Sequence, residues 1–492
     1  MESVISIRPI LAIIVALLAA GIILVFRHHR TIRDGISLVA AVIMFLIVIS
    51  MAPLIMAGHT IELNLFTVLP GIDFAFRVDS LGMVFATISS LLWIVAAIYC
   101  VGYMRSLKEQ NQTRFYASFA ISLAAAVGGA FAANLFTLVI FYEVLTLITY
   151  PLVYHKETEK SWQGSRRYMI YLMGASKTFL LAGLALTYQV AGTLDFKTNG
   201  LLDNLDLSSA MLTGIYLCYL GGFAKAAIMP FHAWLPAAMV APTPVSALLH
   251  AVAVVKMGVF CVLRLVFDVV GLRLMDLHGL GIATAYLVSF TIIMASVYAL
   301  TRDDLKARLA YSTVSQLSYI ILGAVMLSPM SIIGGVLHMP GHALSKITLF
   351  FCAGSIYCAS KRMKVSELSG IGRHLPWTMG AFFIGSLGMI GVPSTGGFIS
   401  KWYLVLGSVE AGELFFLIVL LSSSVLNAAY FLPITYIAFF REEPTGYLSQ
   451  TTKGEIREIP LVTIPLVATA LLSMIMGFYP DYFLTLARGV VP

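Results

Sequence analysis

The sequence predicts an all-α polytopic membrane protein. It has about fourteen transmembrane helices, two inverted five-helix repeats and discontinuous helices 7 and 12. Three observations carry this expectation. The composition is 59% hydrophobic and 11% charged over 492 residues, with a mean hydropathy of +0.92, whereas a soluble domain is about 25% charged. Apolar runs of about 20 residues, each enough to cross a hydrocarbon core of about 30 Å, recur from end to end. Two of those runs are interrupted by proline and glycine, five spans apart. The ten-residue alternation of a β-barrel is not evident.

Reading apolar runs against polar breaks places the span cores at 9–26, 35–57, 80–103, 115–132, 134–154, 167–191, 208–229, 242–266, 278–300, 309–328, 330–357, 377–406, 412–440 and 460–480. The first run, Ile10 to Phe26, is followed by Arg27-His28-His29-Arg30 rather than a small-residue cleavage site, so it reads as a span and not as a leader. Lysine and arginine concentrate in the odd-numbered connections: Arg27, Arg30 and Arg33; Arg105, Lys108 and Arg114; Lys156, Lys160, Arg166 and Arg167; Arg302, Lys306 and Arg308; Lys361, Arg362, Lys364 and Arg373. The second and sixth connections carry Glu62, Asp73, Asp79, Asp195, Asp203 and Asp206 instead. The positive-inside rule then puts the odd connections in the cytoplasm and both termini outside. No linker or low-complexity tract divides the chain, so 1–492 is one membrane domain: helices 1–3 in 1–103, the first repeat in 104–266, the second in 267–440 and the last helix in 441–492.

The net charge of +7 lies in short connections, which argues against a nucleic-acid partner and for a lipid bilayer. Cys100, Cys218, Cys261, Cys352 and Cys358 all sit in apolar tracts without metal-ligand spacing. No metal, iron–sulfur cluster, disulfide framework or other cofactor is expected from them.

The chemistry concentrates in Phe223 to Lys256, which is apolar yet carries Lys225, His232, His250, Lys256 and four prolines, Pro230, Pro236, Pro242 and Pro244. An ionisable group at membrane depth costs about 2.5–3.5 kcal/mol on insertion scales, so such groups mark an ion or proton path. Broken backbone is tolerated there only inside protein or beside a watery cavity. The breaks are expected at Pro230 and Pro236 in span seven, and at Pro393, Gly396 and Gly397 in span twelve, leading into Lys401. Glu143, mid-span in the fifth run, would protonate or need a cation, and Lys225 is its expected partner. Lys177 has no evident local partner. His338, His342 and Lys346 recur every four residues and so share one helix face. A neutral imidazole accepts on one nitrogen and donates on the other, which suits proton relay. His250 and Lys256, six residues apart, fall on different faces; Lys256 has Arg264 beyond it and a stem long enough to snorkel. Asp303, Asp304 and Lys306 read as a solvated loop.

The segments KAAIMPFHAWLPAAMVAPTPVSALLHAVAVVKMGVF, TRDDLKARLAYSTVSQLSYI, HMPGHALSKITLFFCAG and GVPSTGGFISKW, in this order, resemble the antiporter-like family. That family holds the large subunits of Mrp-type cation/proton antiporters and the proton-pumping membrane subunits of respiratory complex I and membrane-bound hydrogenases. The resemblance covers spans three to thirteen. It implies a fourteen-helix fold with two inverted five-helix units, other membrane subunits as partners, and a prokaryotic cytoplasmic membrane. By position, Glu143 and Lys225 match the family's glutamate–lysine pair, and His250 its central lysine or histidine. His338, His342 and Lys346 match the span-eleven relay, and Lys401 the terminal lysine. Lys401, and a chain that ends soon after span fourteen, lead to the expectation of a D-type subunit. Lys177 departs from the family pattern.

The expected function is proton translocation coupled to a monovalent cation, Na+ foremost. In that scheme separation of Glu143 from Lys225 releases a proton to His250, and the charge passes through His342, His338 and Lys346 to Lys401. The rival is a pump subunit of a redox complex, whose redox chemistry would lie in other chains, because this one shows no redox or hydrolytic motif.

Overall fold

The computed structural model describes residues 3–442 and 456–491. Part of the connection assigned above to 441–492, residues 443–455, lies outside them. The chain opens with β1 (Ser3–Ile5), α1 (Arg8–Val25), α2 (Arg30–Ile49) and the short α3 (Ala52–Met56). A hairpin of β2 (Thr60–Leu69) and β3 (Ile72–Val78) follows, then α4 (Ser80–Ser106), α5 (Gln112–Ala130), α6 (Leu135–Val153), α7 (Glu159–Ala175), α8 (Leu181–Ala191) and α9 (Ser209–Gly222). After these come α10 (Trp234–Ala237), α11 (Thr243–Ala247), α12 (Val254–Arg264), α13 (Leu272–Leu277), α14 (Leu280–Thr301), α15 (Leu305–Val325) and α16 (Pro329–Ser360). The last are α17 (Pro376–Ile390), α18 (Gly396–Glu410), α19 (Leu414–Phe440), α20 (Pro460–Phe478) and α21 (Asp481–Arg488).

Among the described residues, 10 helices are long and apolar enough to cross a membrane. They coincide with ten of the fourteen expected cores. The other four cores fall on α5, on α9, on α15 and on the pair α17 and α18. The sixth core runs through α7 and α8, joined without a break by a π-helical turn at Ser176–Leu180. Polar residues set the helix starts. Asp79 accepts from Gly82 N at 2.9 Å, Asn134 from Thr137 N at 2.8 Å and Asp304 from Ala307 N at 2.8 Å, each taking up a donor that the first turn leaves free. α16 starts with a reciprocal cap between Ser328 and Ser331 and runs on through Pro340.

The expectation of a purely helical chain is corrected by a three-stranded sheet in the order β1-β2-β3, with β1 parallel and β3 antiparallel to β2. Its signal is in the sequence. Thr60 to Leu69 and Ile72 to Val78 alternate apolar and polar residues around Pro70-Gly71, which makes a hairpin of what a hydropathy scan passes over. Asp73 accepts from Asn64 Nδ2 at 2.7 Å and Thr67 Oγ1 at 2.6 Å across the hairpin. Arg77 N donates to Phe131 O at 2.7 Å, tying the sheet to the end of α5.

Both expected discontinuities are present. After α9 the chain makes a 3₁₀ turn at Ala224–Ala226, a turn through Pro230, and then α10. α17 stops at Ile390, Gly391 adopts φ +87°, and α18 resumes at Gly396. The individual breakers differ from expectation. Pro236 sits within α10 rather than breaking a helix, and Gly396 and Gly397 are the first two residues of α18. Their small size serves contact instead: a Cβ on Gly397 would lie 1.9 Å from Gly388 O. A third irregularity has no counterpart in the sequence reading. Span eight contains a π-helical turn at Leu248–Val252, followed by a bend at Ala253 with φ −119° and ψ −66°.

Candidate functional site

Lys225, His250, Lys256, His338, His342 and Lys346 are each at most 1% exposed, and Lys401 is 8% exposed. Burial of so many ionisable groups calls for hydrogen-bonding partners, and α15 and the span-twelve break supply most of those present.

α17 ends at Ile390, leaving carbonyls without intrahelical partners. Lys401, one turn into α18, donates to Met389 O at 2.8 Å, Ile390 O at 2.9 Å and Ser424 Oγ at 3.1 Å. Its ammonium therefore sits at a helix C-terminus, where the backbone dipoles favour positive charge. It also stands 5.0 Å from the Tyr319 ring centroid.

Tyr319 also touches His338, the two rings lying 5.3 Å apart. His338 Nε2 is 3.0 Å from Gln316 Oε1, and Nδ1 is 2.9 Å from Ser400 Oγ. Because the glutamine oxygen only accepts, Nε2 carries a hydrogen. Ser400 Oγ is also 3.0 Å from Gly397 O. The serine can therefore donate to a neutral ring, or accept from a charged ring while donating to Gly397. His338 can gain or lose a proton without leaving either nitrogen unsatisfied.

One turn on, the His342 ring lies 6.0 Å from that of His338 at an interplanar angle of 22°. His342 Nδ1 is 2.6 Å from Lys256 Nζ of α12; when Lys256 is protonated Nδ1 accepts and Nε2 carries the hydrogen. Lys256 is thus interior and does not snorkel to an edge. Another turn on, Lys346 donates to Ser312 Oγ at 2.5 Å and to Leu309 O at 3.3 Å, and faces Phe431 at 5.7 Å. The contacts differ from the expected order, which put Lys346 next to Lys401: His338 is the α16 group on the Lys401 side, through Ser400, and Lys346 turns towards α15. His250, in the π-helical turn, packs on Phe350 at 4.8 Å; neither of its nitrogens has a hydrogen-bond partner among the described residues.

The Glu143 pairing is also corrected. Glu143 Oε2 lies 3.7 Å from Lys177 Nζ, and no ion pair joins it to Lys225 among the described residues. Lys225 instead donates to Tyr142 O at 2.5 Å and stands 3.2 Å from the Tyr142 ring centroid. The physical reason is helical phase: Tyr142 and Glu143 point about 100° apart, and Tyr142 faces the span-seven break. The Tyr142 hydroxyl donates to Gly222 O at 3.2 Å, and Trp234 Nε1 to Ala224 O at 3.0 Å, so carbonyls freed by that break are satisfied. Lys177 reaches Glu143 from the π-helical turn between α7 and α8. His232 stands in the same break, its ring 6.4 Å from that of Tyr311.

Sequence reasoning missed the polar partners Ser312, Gln316 and Tyr319, whose i, i+4, i+7 spacing marks one face of α15. It also missed a charge quartet at the other end of α12. Arg264, 2% exposed, donates to Asp79 at 2.6 and 2.8 Å and to Asp268 at 2.8 Å. Arg77 lies 3.8 Å from Asp79 and 3.9 Å from Asp268. Burial opposes ionisation of Asp79, but Arg264 and Arg77 outweigh it and hold its carboxyl below the usual carboxylate range.

A bundle with two broken helices and buried lysines and histidines defines a polytopic membrane protein with ionisable groups in its interior. The family model described as NADH:quinone oxidoreductase/Mrp antiporter, transmembrane, matches residues 132–427, and the chain belongs to that family. A second, described as the N-terminus of chain 5 of NADH-ubiquinone oxidoreductase (complex I), matches residues 70–116. The chain is 34% identical over 356 residues to NADH-quinone oxidoreductase subunit N of Desulforudis audaxviator, covering 71% of this chain and 70% of that one. It is 30% identical over 495 residues to the A-type subunit of the Na(+)/H(+) antiporter of Alkalihalophilus pseudofirmus, covering 94% of this chain but 60% of that one. The fold is similar to a chain of the Mrp complex from Dietzia sp., with a TM-score of 0.86, 21% identity and coverage of 99% and 97%. It is also similar to a chain of the archaeal membrane-bound sulfane sulfur reductase, with a TM-score of 0.82, 23% identity and coverage of 98% and 96%.

Proposed function

We propose that this chain is the proton-translocating subunit of a multisubunit monovalent cation/proton antiporter, with Na+ as the coupled cation and other membrane subunits as partners. The observation that carries the reading is the string Lys256–His342–His338–Lys401, which joins α12, α16 and α18 through buried groups. A proton leaving Lys256 enters His342 at Nδ1, and the ring releases its other hydrogen from Nε2. Passage to His338 crosses stacked rings, which a bridging water serves. Ser400 then switches between donor and acceptor as His338 changes charge. Lys401 first releases one of its three hydrogens at the helix break and, as a neutral amine, then takes up the proton. Lys346 and His250 form a branch that shares charge with the string, and Glu143 acts on Lys225 with Lys177 as a competing partner. Movement of one charge through 100 mV contributes about 2.3 kcal/mol, enough to couple proton uptake to cation exit.

The same reading takes the chain as fourteen crossings in two inverted repeats, 104–266 and 267–440, with both termini outside a prokaryotic cytoplasmic membrane. It rests on the charge pattern of the connections and the two matched breaks. The D-type assignment rests on Lys401 and stands beside a match to an A-type relative. A second reading, a pump subunit of a redox complex, is favoured by the relative named NADH-quinone oxidoreductase subunit N.

Cation-dependent proton transport in everted vesicles, with and without the neighbouring genes, tests the proposal on Glu143→Ala and Lys401→Ala. Loss of sodium-dependent transport in both, with assembly intact, supports it. Survival of transport in both removes the relay. Proton pumping that responds only to an electron donor moves the chain to the second reading.

A further inference from the structure

A separate cavity of about 400 Å³ opens where α7 and α15 begin, at the end of the bundle bearing the basic connections. Lys156, Lys160 and Lys306 line it, together with Arg362, whose guanidinium donates to Glu367 O at 3.2 Å; Asp304 is the one carboxylate among the described lining residues. One Asp304 oxygen already accepts from Ala307 N. The positive-inside rule accounts for Lys156 and Lys160, which lie in or beside a short connection. It does not account for Lys306, which is in the first turn of α15. A cation there opposes the helix dipole, and its Nζ is turned inward to Ala241 O at 2.5 Å. Two helix N-termini and three lysines therefore converge on one space that has one carboxylate among its described lining residues. The remaining wall mixes apolar side chains, including Pro236, Met239 and Val240, with the hydroxyl-bearing Thr158 and Thr243. We propose that this cavity binds a phosphoryl group, with Lys156 and Lys160 at its mouth and Lys306 on its wall. The apolar side chains accept the organic part of a phosphate monoester or of a lipid headgroup. None of these cations belongs to the Lys256–Lys401 string, so the inference is independent of the proposed transport.

The test uses the full chain with its co-purifying subunits in phosphatidylcholine nanodiscs. Equilibrium binding of radiolabelled inorganic phosphate and of glycerol phosphate is compared between wild type and Lys156→Gln/Lys160→Gln, two exposed positions whose change leaves the fold intact. A second arm measures retention of phosphatidylglycerol from mixed nanodiscs, and Lys306→Gln is run in both arms. The expected result is saturable binding that weakens at least ~10-fold in the double variant, in line with loss of two charge-assisted contacts. Binding in the soluble arm assigns a free phosphate ligand, and binding only in the second arm assigns a lipid headgroup. Absence of binding in both arms, or binding that the substitutions leave unchanged, overturns the proposal.

Discussion

Lys256→Met separates structure from transport within the buried string. Methionine replaces the aliphatic stem of lysine with little change in shape, and the loss is the nitrogen 2.6 Å from His342 Nδ1. That ring nitrogen is then buried without a donor, which costs about 1–3 kcal/mol. The bundle therefore melts a few degrees lower and still assembles. Transport behaves differently. A full charge moving through 100 mV gains about 2.3 kcal/mol, which converts to roughly fifty-fold in rate at about 1.4 kcal/mol per decade. Without a proton carrier at position 256 that leverage disappears. The ratio of proton uptake with and without an imposed potential falls from a value of up to about fifty towards one. The assay is uptake into proteoliposomes under a potassium diffusion potential, read by an internal pH dye, with the melting midpoint measured on the same preparation. An intact bundle whose potential-driven uptake equals that of wild type refutes Lys256 as a carrier.

Three further outcomes follow from the same structure. Arg264→Met strands Asp79 and Asp268 with only Arg77 and destabilises the bundle by about 3–5 kcal/mol. Arg264→Met/Asp268→Leu restores a balanced pair and recovers at least half of that loss in thermal unfolding; a double variant as unstable as the single one contradicts the quartet. Gly397→Ala places a Cβ 1.9 Å from Gly388 O, so the start of α18 shifts and stability falls by about 1–3 kcal/mol, with a larger effect on Lys401-dependent transport than Gly380→Ala, where open space surrounds the added Cβ. His155, in the connection after α6, is held at about 4 by burial and then by the Arg114 charge, despite Glu109 at 3.8 Å. Its unfolded value is about 6.5, so its contribution to stability is complete above that pH and is lost as pH falls through about 4. His155→Phe flattens this window in a pH series of melting midpoints, and an unchanged slope rules the histidine out as its source.

The helices were legible because hydropathy marks their apolar runs. Asp79 and Asn134 stand immediately before such runs and begin α4 and α6, whereas Asp304, read as a solvated loop, caps α15 ahead of the charged turn of Lys306 and Arg308. The breaks were legible as well, because proline and glycine in a long apolar tract have few other uses. The β2–β3 hairpin was not, although its alternation is plain, because a window of about nineteen residues averages Thr60 to Val78 into one weakly apolar stretch. The roles of Pro236, Gly396 and Gly397 were misjudged for a related reason. Sequence shows that a residue disfavours helix, but not whether it ends one helix, begins the next or lets two backbones meet.

The site divides along the same line between local and distant information. The face shared by His338, His342 and Lys346 follows from helical periodicity, and all three are buried. Partner identity does not follow, because it depends on how separate helices are phased against one another. Glu143 illustrates the limit. Charge complementarity alone cannot choose between Lys177 and Lys225, since both are lysines on segments that neighbour α6. The choice is made by Tyr142, whose carbonyl and ring occupy the Lys225 ammonium at 2.5 and 3.2 Å, and by the π-helical turn that advances Lys177 towards the carboxylate. An additional residue in a helical turn rotates everything after it relative to an ideal helix. Three such turns, at Ser176–Leu180, Leu248–Val252 and Leu265–Val270, therefore reset the facing of Lys177, Lys256 and the connection beyond Asp268. In an α-helical projection each of these groups points elsewhere, and for that reason the charge string and the Arg264 quartet emerge only from the folded chain.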